Sequence, residues 1–136
     1  MSGRLIDLVV IHHSASPRST SLEEIRGWHK QRGFRDVGYH YVVEEHGDVR
    51  IGRALWEEGA HAAGWNAHSV GICVTGNNTV PAEHWNASQV FALRQLVQAL
   101  RLLVPGVEVR GHRELKGAAT ECPGLDVLGL LDGVVD

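Results

Sequence analysis

The chain has 136 residues, a length typical of one compact domain. Hydrophobic residues make up 43% of it and charged residues 21%, which is ordinary for a soluble globular protein and sufficient for a core without disulfide bonds. The net charge of -3 argues against nucleic-acid binding and against attachment to an anionic membrane, because both require a basic surface.

The apolar run near the N-terminus, in MSGRLIDLVVIHH, differs from a secretory signal. Asp7 interrupts it, and no cleavage site of small residues follows. No stretch of the sequence approaches the roughly 20 apolar residues of a membrane helix. We therefore expect synthesis in the cytoplasm without a signal peptide, so that a substrate outside the cell would have to be reached by another route.

The first half of the chain predicts a strand, a helix and a hairpin. Residues 6–13 are β-branched and apolar, as in a buried strand. Ser21 and Glu24 form a capping-box pattern that begins a helix reaching about Gln31. Residues 39–53 are typical of a β-hairpin with its turn at 46–48. The apolar face of the helix is predicted to contain Leu22, Ile25 and either Trp28 or His29.

The second half predicts two more strands and two more helices. Residues 70–74 and 107–111 have the apolar character of short buried strands. Between them, Asn86 and Gln89 form a capping pattern for a long helix that Pro105-Gly106 ends, and a short helix is predicted to start at Pro123-Gly124. The apolar positions that repeat at helical spacing in the long helix are Val90, Leu93, Val97, Leu100 and Leu103.

Strands and helices alternate along the chain, which predicts the α/β class with a mixed central β-sheet flanked by helices. The hairpin makes at least one strand pair antiparallel. Since no internal repeat or linker divides the sequence, we expect residues 1–136 to form a single domain.

Nine histidines and two cysteines are the unusual part of the composition. His12 and His13 end the first strand, His112 ends the last strand, and Cys122 follows in the next loop. Two imidazoles and one thiolate that converge on one rim of a sheet would suit a catalytic zinc, which has three protein ligands and one open position. The other histidines at 29, 46, 68 and 84 are predicted to be solvated or to cap helices.

The spacing of these residues leaves a second interpretation open. His12 and His13 could be polar residues at a strand end, and Cys122 could be a small buried thiol. Positions 12 and 112 are 100 residues apart, so the spacing alone does not establish that their side chains meet.

Four segments, in order, resemble the type-2 N-acetylmuramoyl-L-alanine amidases, the family that includes the amidase-type phage lysozymes and the peptidoglycan recognition proteins. They are VIHHSAS (10–16), DVGYHYVV (36–43), GAHAAGWNAHSVGICVTG (59–76) and RGHREL with TECPG (110–124). The resemblance covers nearly the whole chain. It implies zinc-dependent hydrolysis of the amide bond between N-acetylmuramic acid and L-alanine in bacterial peptidoglycan, with zinc as the cofactor and peptidoglycan or muropeptides as the partner.

The resemblance also assigns the metal ligands. His12, His112 and Cys122 match the three zinc ligands of the family. His13 falls where relatives have other residue types, so we expect it not to bind the metal.

Further residues correspond to positions around the metal. Tyr39 matches a tyrosine beside the metal, and Thr120 stands where some members have a lysine, so it is expected to be a weaker, neutral hydrogen-bond donor. His61 and Asn66 match positions that line the substrate groove, and Trp65 is our best candidate for stacking on a sugar ring.

Several functional questions stay open. Some members have a glutamate in the strand 70–74, where this chain has none, which leaves the general base unidentified. We expect a monomeric endolysin-like enzyme released through a membrane pore. The alternatives are a cytoplasmic amidase that recycles muropeptides, a non-catalytic peptidoglycan-binding module, and a regulatory role beside catalysis.

Overall fold

Five strands and three α-helices make up the fold of residues 4–132, the part of the chain that this computed structural model describes. In chain order they are β1 (Leu8–His13), α1 (Leu22–Gln31), β2 (Tyr41–Val43), β3 (Val49–Ile51), β4 (Ser69–Val74), α2 (Ala87–Leu103), β5 (Glu108–Gly111) and α3 (Val127–Asp132). In this part of the chain, no helix combines the length and apolar character needed to cross a membrane.

The strands form one mixed sheet in the order β3-β2-β4-β1-β5. β1 lies between β4 and β5 and is parallel to both, β2 is parallel to β4, and only the β2–β3 hairpin pair is antiparallel. This confirms the predicted mixed sheet. Parallel strands end at a common edge, and in open α/β sheets that edge usually carries the functional site.

Helices cover both faces of the sheet. Because side chains alternate along a strand, Val9 and Ile11 of β1 face the core formed with α2 and α3. Val10 faces the other side, where a loop over residues 54–68 covers the sheet and where α1 packs beside that loop. The parallel β1–β4 register places His12 beside Cys73 of β4 on that second face.

Both predicted capping boxes are confirmed. The Ser21 side chain accepts the backbone N–H of Glu24, whose carboxylate accepts the N–H of Ser21, and Asn86 and Gln89 form the same reciprocal pair at α2. These bonds satisfy backbone donors that the first turn of a helix leaves without partners.

The structure decides one open alternative and differs from prediction in two details. His29, which is 7% exposed, completes the buried face of α1, whereas Trp28 is 42% exposed. Leu103 is 65% exposed because, at about 100° per residue, it lies about 80° away from the direction of Leu93. The last helix starts at Val127 rather than at Pro123-Gly124, since Gly124 adopts a left-handed turn conformation with φ of 82°.

Candidate metal centre

His12, His112 and Cys122 form a cluster at the carboxyl edge of the sheet. One ligand atom from each residue lies within 4.8 Å of the others. His12 is at the end of β1, His112 begins the turn after β5, and Cys122 is in the loop before α3. The structure thus brings together the three residues that the sequence predicted, because β1 and β5 are adjacent parallel strands that end at the same edge.

Backbone hydrogen bonds hold Cys122 against the end of β1. The N–H of His13 donates to the Cys122 sulfur at 3.4 Å. The Cys122 carbonyl accepts the N–H of Arg113 at 2.7 Å, which ties the cysteine loop to the turn that carries His112. The cysteine is therefore positioned by both strands that supply the histidines.

His12 and His13 point to opposite sides of the sheet, as adjacent residues of a strand do. The Nδ1 atom of His13 accepts the backbone N–H of Asn78 at 3.1 Å, and the Asn78 side chain donates to the Pro123 carbonyl at 2.8 Å. The His13 ring is thus bonded to the loop that contains Asn78, and Asn78 connects that loop to the cysteine loop.

The three side chains of the cluster suit a cationic metal. Burial lowers the pKa of His12 well below its ordinary value, with further lowering by neighbouring His61 and His112, so its imidazole is neutral and able to bind a metal. Burial raises the pKa of the Cys122 thiol to about 12, although the N–H of His13 opposes this. A buried thiol of this kind loses its proton at neutral pH when a cation binds the sulfur. Neutral imidazoles with a thiol that a metal would ionise are a donor set that zinc prefers.

Tyr39 packs directly against the cluster. Its ring centroid lies 5.1 Å from that of His12 and 5.4 Å from that of His29. Burial raises the pKa of Tyr39 well above its ordinary value, and the neighbouring thiols of Cys73 and Cys122 raise it further. The hydroxyl therefore keeps its proton at neutral pH and can donate a hydrogen bond.

His61 and Asn66 lie in the loop that covers the sheet beside the cluster. The Nδ1 atom of His61 is 2.9 Å from Nε2 of His12. The Asn66 side-chain oxygen accepts the backbone N–H groups of His61 and Ala62, both at 2.9 Å. Asn66 therefore stabilises the loop that holds His61, and groove lining by either residue stays a prediction.

Trp65 lies nearer the start of β1 than His12 does. It packs with Leu8 and Val10, and its indole N–H donates to the Lys116 carbonyl at 3.2 Å. It borders a surface groove of about 310 Å³ that also contacts Arg110. The structure thus does not bring Trp65 to the cluster, and sugar stacking by its ring stays a prediction.

Thr120 lies on the exposed side of the cysteine loop. Its hydroxyl oxygen accepts the backbone N–H of Cys122 at 3.1 Å. The hydroxyl can still donate one hydrogen bond, so its predicted role as a neutral donor is chemically open to it.

His29, which the sequence left as one of two candidates for the apolar face of α1, supports this face of the sheet. The prediction that His29 is solvated is wrong: its Nδ1 atom accepts the Gly38 N–H at 2.8 Å, and its ring supports Tyr39. The spacing of Leu22, Ile25 and His29 along α1 was the available signal for its burial.

Arg4 anchors the covering loop, a role for which the sequence carried no signal. Its guanidinium group donates to the carbonyls of Leu55, Asn66 and Ser69 at distances of 3.0, 3.2 and 2.8 Å. The guanidinium group also lies 2.9 Å from Nε2 of His40. Its other partners are backbone atoms, which no side-chain motif reveals.

Comparison with known proteins identifies the family. The model of the family described as N-acetylmuramoyl-L-alanine amidase matches residues 2–125. The chain belongs to this family. This amidase-family chain is 34% identical over 126 residues to an endolysin of Escherichia phage T7, a match that covers 89% of this chain and 82% of the endolysin.

Two further relatives show the range of the family. A peptidoglycan-recognition protein of Drosophila melanogaster is 32% identical over 136 residues, which cover 93% of this chain and 70% of that protein. Among solved structures, the Ph2119 endolysin from the Thermus scotoductus MAT2119 bacteriophage Ph2119 superposes with a TM-score of 0.87 at 31% identity, over 97% of this chain and 86% of that one. The fold of the amidase-family domain is thus shared with endolysins and with recognition proteins.

Proposed function

We propose that this protein is a zinc-dependent amidase that hydrolyses the bond between N-acetylmuramic acid and L-alanine in bacterial peptidoglycan. The observation that carries the proposal is the cluster of His12, His112 and Cys122, whose ligand atoms lie within 4.8 Å of one another. Membership of the amidase family supports the substrate class. A cluster of this composition leaves a fourth position of a tetrahedral zinc open for water or substrate.

The chemical difficulty is nucleophilic attack on an unreactive amide carbonyl. When bound, zinc supplies Lewis acidity, which lowers the pKa of a coordinated water and polarises the carbonyl. Hydrolysis adds water across the amide bond, leaving a carboxylate on the muramic acid side and the free α-amino group of alanine. The domain must therefore also stabilise the negative charge that develops on the carbonyl oxygen.

We assign the stabilisation of this negative charge to Tyr39. It lies against His12, and its hydroxyl is protonated at neutral pH, as the ordinary pKa of a phenol near 10 already ensures and as burial reinforces by raising the pKa. A buried donor placed in advance stabilises a developing oxyanion more strongly than water does, because it needs no reorganisation. Thr120 would supply a second, neutral donor from the cysteine loop.

The neighbours of His12 preserve the positive charge of a bound metal. The ionisable groups that influence its pKa are other histidines, namely His61, His112, His13 and His29. With neutral imidazoles and one thiolate, a zinc ion would keep a net charge of +1. That charge favours polarisation of the substrate carbonyl.

Similarity to phage endolysins supports action on the intact cell wall. We therefore propose peptidoglycan as the partner and a lysin role, with release to the wall through a membrane pore. The whole domain would act as a monomer. His61, Asn66 and Trp65 remain the sequence-based candidates for contacts with the substrate.

The test is digestion of purified peptidoglycan by protein that has been stripped of metal and then reloaded with one equivalent of zinc. Amidase activity would release free α-amino groups of alanine without new reducing sugar ends, and mass spectrometry would identify intact stem peptides. Cys122→Ala, treated in the same way, is the matched control and should release nothing.

Other outcomes separate the alternative functions. New reducing ends without free alanine amines would contradict amide hydrolysis. Retention of peptidoglycan without cleavage by the zinc-loaded protein would indicate a binding module. Cleavage of soluble muropeptides but not of intact wall would contradict the lysin role and support a recycling amidase.

A further inference from the structure

The two ring nitrogens of His12 have different neighbours. Nδ1 lies 3.7 Å from the Cys122 sulfur, whereas Nε2 lies 2.9 Å from Nδ1 of His61. From typical Zn–N and Zn–S bond lengths, a nitrogen and a sulfur bound to one tetrahedral zinc are about 3.6 Å apart. The separation of Nδ1 from the sulfur matches that distance, so Nδ1 is the atom of His12 suited to the metal.

This assignment determines where the imidazole protons are. A ring nitrogen that binds a metal has no hydrogen, so neutral His12 has its proton on Nε2 and donates it to Nδ1 of His61. The proton of His61 must then be on its own Nε2, which lies 3.2 Å from the Ser69 hydroxyl oxygen. Each imidazole in this chain of hydrogen bonds thus has one defined tautomer.

We propose that His61 is a positioning residue for the metal site, accepting the Nε2 proton of His12 and holding Nδ1 of His12 towards the metal. This inference rests on the proposed function, since it requires that His12 binds zinc. It differs from the predicted role of His61, because a residue that lines the groove would contact substrate rather than a ligand histidine.

The surroundings of His61 are built to hold its ring in this place. A Cβ atom added at Gly71 of β4 would lie 2.6 Å from two ring carbons of His61, and one added at Gly59 would lie 2.8 Å from the ring. The ring therefore lies directly against the sheet backbone. A side chain at position 71 of β4 would displace it. Asn66 fixes the backbone of His61 from the other side.

The hydrogen bond has a consequence for metal affinity. Partners of this kind fix the tautomer and orientation of a ligand histidine, and their loss typically weakens metal binding 10–100-fold. Removing the acceptor would also leave the buried Nε2 proton of His12 without a partner. Because His61 is a neutral acceptor, it orients His12 without adding negative charge beside the metal.

The first test measures zinc affinity by competition with a chromogenic chelator. His61→Leu, which keeps side-chain bulk but removes the acceptor, should bind zinc about 10–100-fold more weakly than the wild type. His61→Asn should restore affinity to within a few-fold, because its side-chain oxygen can occupy the place of Nδ1. His68→Leu is the control, since His68 contacts Asp7 and Trp65 rather than the cluster. The absorption spectrum of the cobalt-substituted proteins should change in His61→Leu alone.

Each result decides the inference. Wild-type zinc affinity in His61→Leu would overturn it, and so would equal weakening in His61→Leu and His61→Asn, which would indicate a packing role for the ring. A rise in KM at saturating zinc with unchanged zinc affinity would support the groove-lining role instead. Wild-type protein without zinc affinity would overturn the proposed function as well, whereas zinc affinity without amide cleavage would contradict only the proposed function.

A second measurement needs no variant. Nitrogen-15 NMR of the imidazole rings in zinc-loaded wild-type protein should show His12 and His61 both protonated at Nε2 and unprotonated at Nδ1. A proton on Nδ1 of His61 would overturn the inference, because that atom could then not accept from His12.

Discussion

The ring of Tyr39 lies 5.1 Å from the ring of His12 and is inclined to it by 54°. Tyr39 precedes β2 and His12 ends β1, two strands that are separated in the sheet by β4. The contact places a protonated phenol beside the ligand cluster although the residue is not itself part of that cluster. Our proposal therefore gives metal binding and stabilisation of developing charge to different side chains.

Substitution of Tyr39 by phenylalanine should lower kcat about 10²–10³-fold, as the loss of one donor to an oxyanion typically does. The zinc content should stay near one equivalent per chain, because the hydroxyl is not a ligand. Thr120→Ala should lower kcat less, since threonine is a neutral donor on the exposed side of the loop. Both variants should be assayed on a soluble muropeptide, with zinc measured in the same samples.

Two results would contradict this ranking. A loss confined to KM in Tyr39→Phe would show that the hydroxyl only binds substrate. A larger fall in kcat for Thr120→Ala than for Tyr39→Phe would make threonine the principal donor.

Alanine substitutions at the cluster should remove both zinc and activity. We expect this of His12→Ala, His112→Ala and Cys122→Ala, because each leaves only two protein ligands. His13→Ala is the matched control for His12→Ala, since its imidazole bonds to Asn78 on the other side of the strand. Elemental analysis of protein purified without added metal measures the result. Loss of zinc in His13→Ala with retention in His12→Ala would show that the opposite face of β1 carries the site.

His40 predicts how stability depends on pH. Burial lowers its pKa to about 4, while its Nδ1 accepts the Gly71 N–H at 3.0 Å. Since the unfolded chain binds this proton near pH 6.5 and the folded chain does not, the stabilisation is complete above pH 6.5 and decreases as the pH falls towards 4. Urea unfolding of the zinc-free protein across this range measures the dependence.

With Nδ1 as the acceptor, Nε2 of His40 carries the proton and donates to the Glu57 carbonyl at 2.8 Å. The control for this prediction is His40→Gln, whose amide has one acceptor and one donor for the same two bonds and does not titrate. Between pH 6.5 and 4, the unfolding free energy of His40→Gln should fall less steeply with decreasing pH than that of the wild type. The difference between the two slopes should be at most about 1.4 kcal/mol per pH unit. Identical slopes for the wild type and His40→Gln would mean that His40 does not titrate differently in the two states.

Two leucines of α2 should differ sharply in their contribution to stability. Leu93 is fully buried, so Leu93→Ala should lower the free energy of unfolding by about 2–5 kcal/mol through lost burial and the cavity left behind. Leu103 is 65% exposed, and Leu103→Ala should change the free energy of unfolding by less than about 0.5 kcal/mol. Chemical denaturation of both variants measures the difference, and similar losses at the two positions would contradict the exposed orientation of Leu103.

The sequence by itself determined most of the elements and indicated the composition of the candidate metal site. Capping pairs such as Ser21 with Glu24 depend on residues three apart, and helical spacing is a local property, so both can be recognised without a structure. The ordered motifs indicated His12, His112 and Cys122 because each lies within a short, specific segment.

Only the tertiary structure decided what these residues contact. Helical spacing made His29 one of two candidates for the buried face of α1. Its burial instead of Trp28, and the exposure of Leu103, depend on which part of each helix the sheet covers. The position of His61 against His12 depends on a loop that lies flat on Gly71, and the residues involved are 49 positions apart in the chain. Long-range packing selects such contacts from many that the sequence allows, so the hydrogen-bond partner of His12 is a property of the folded chain.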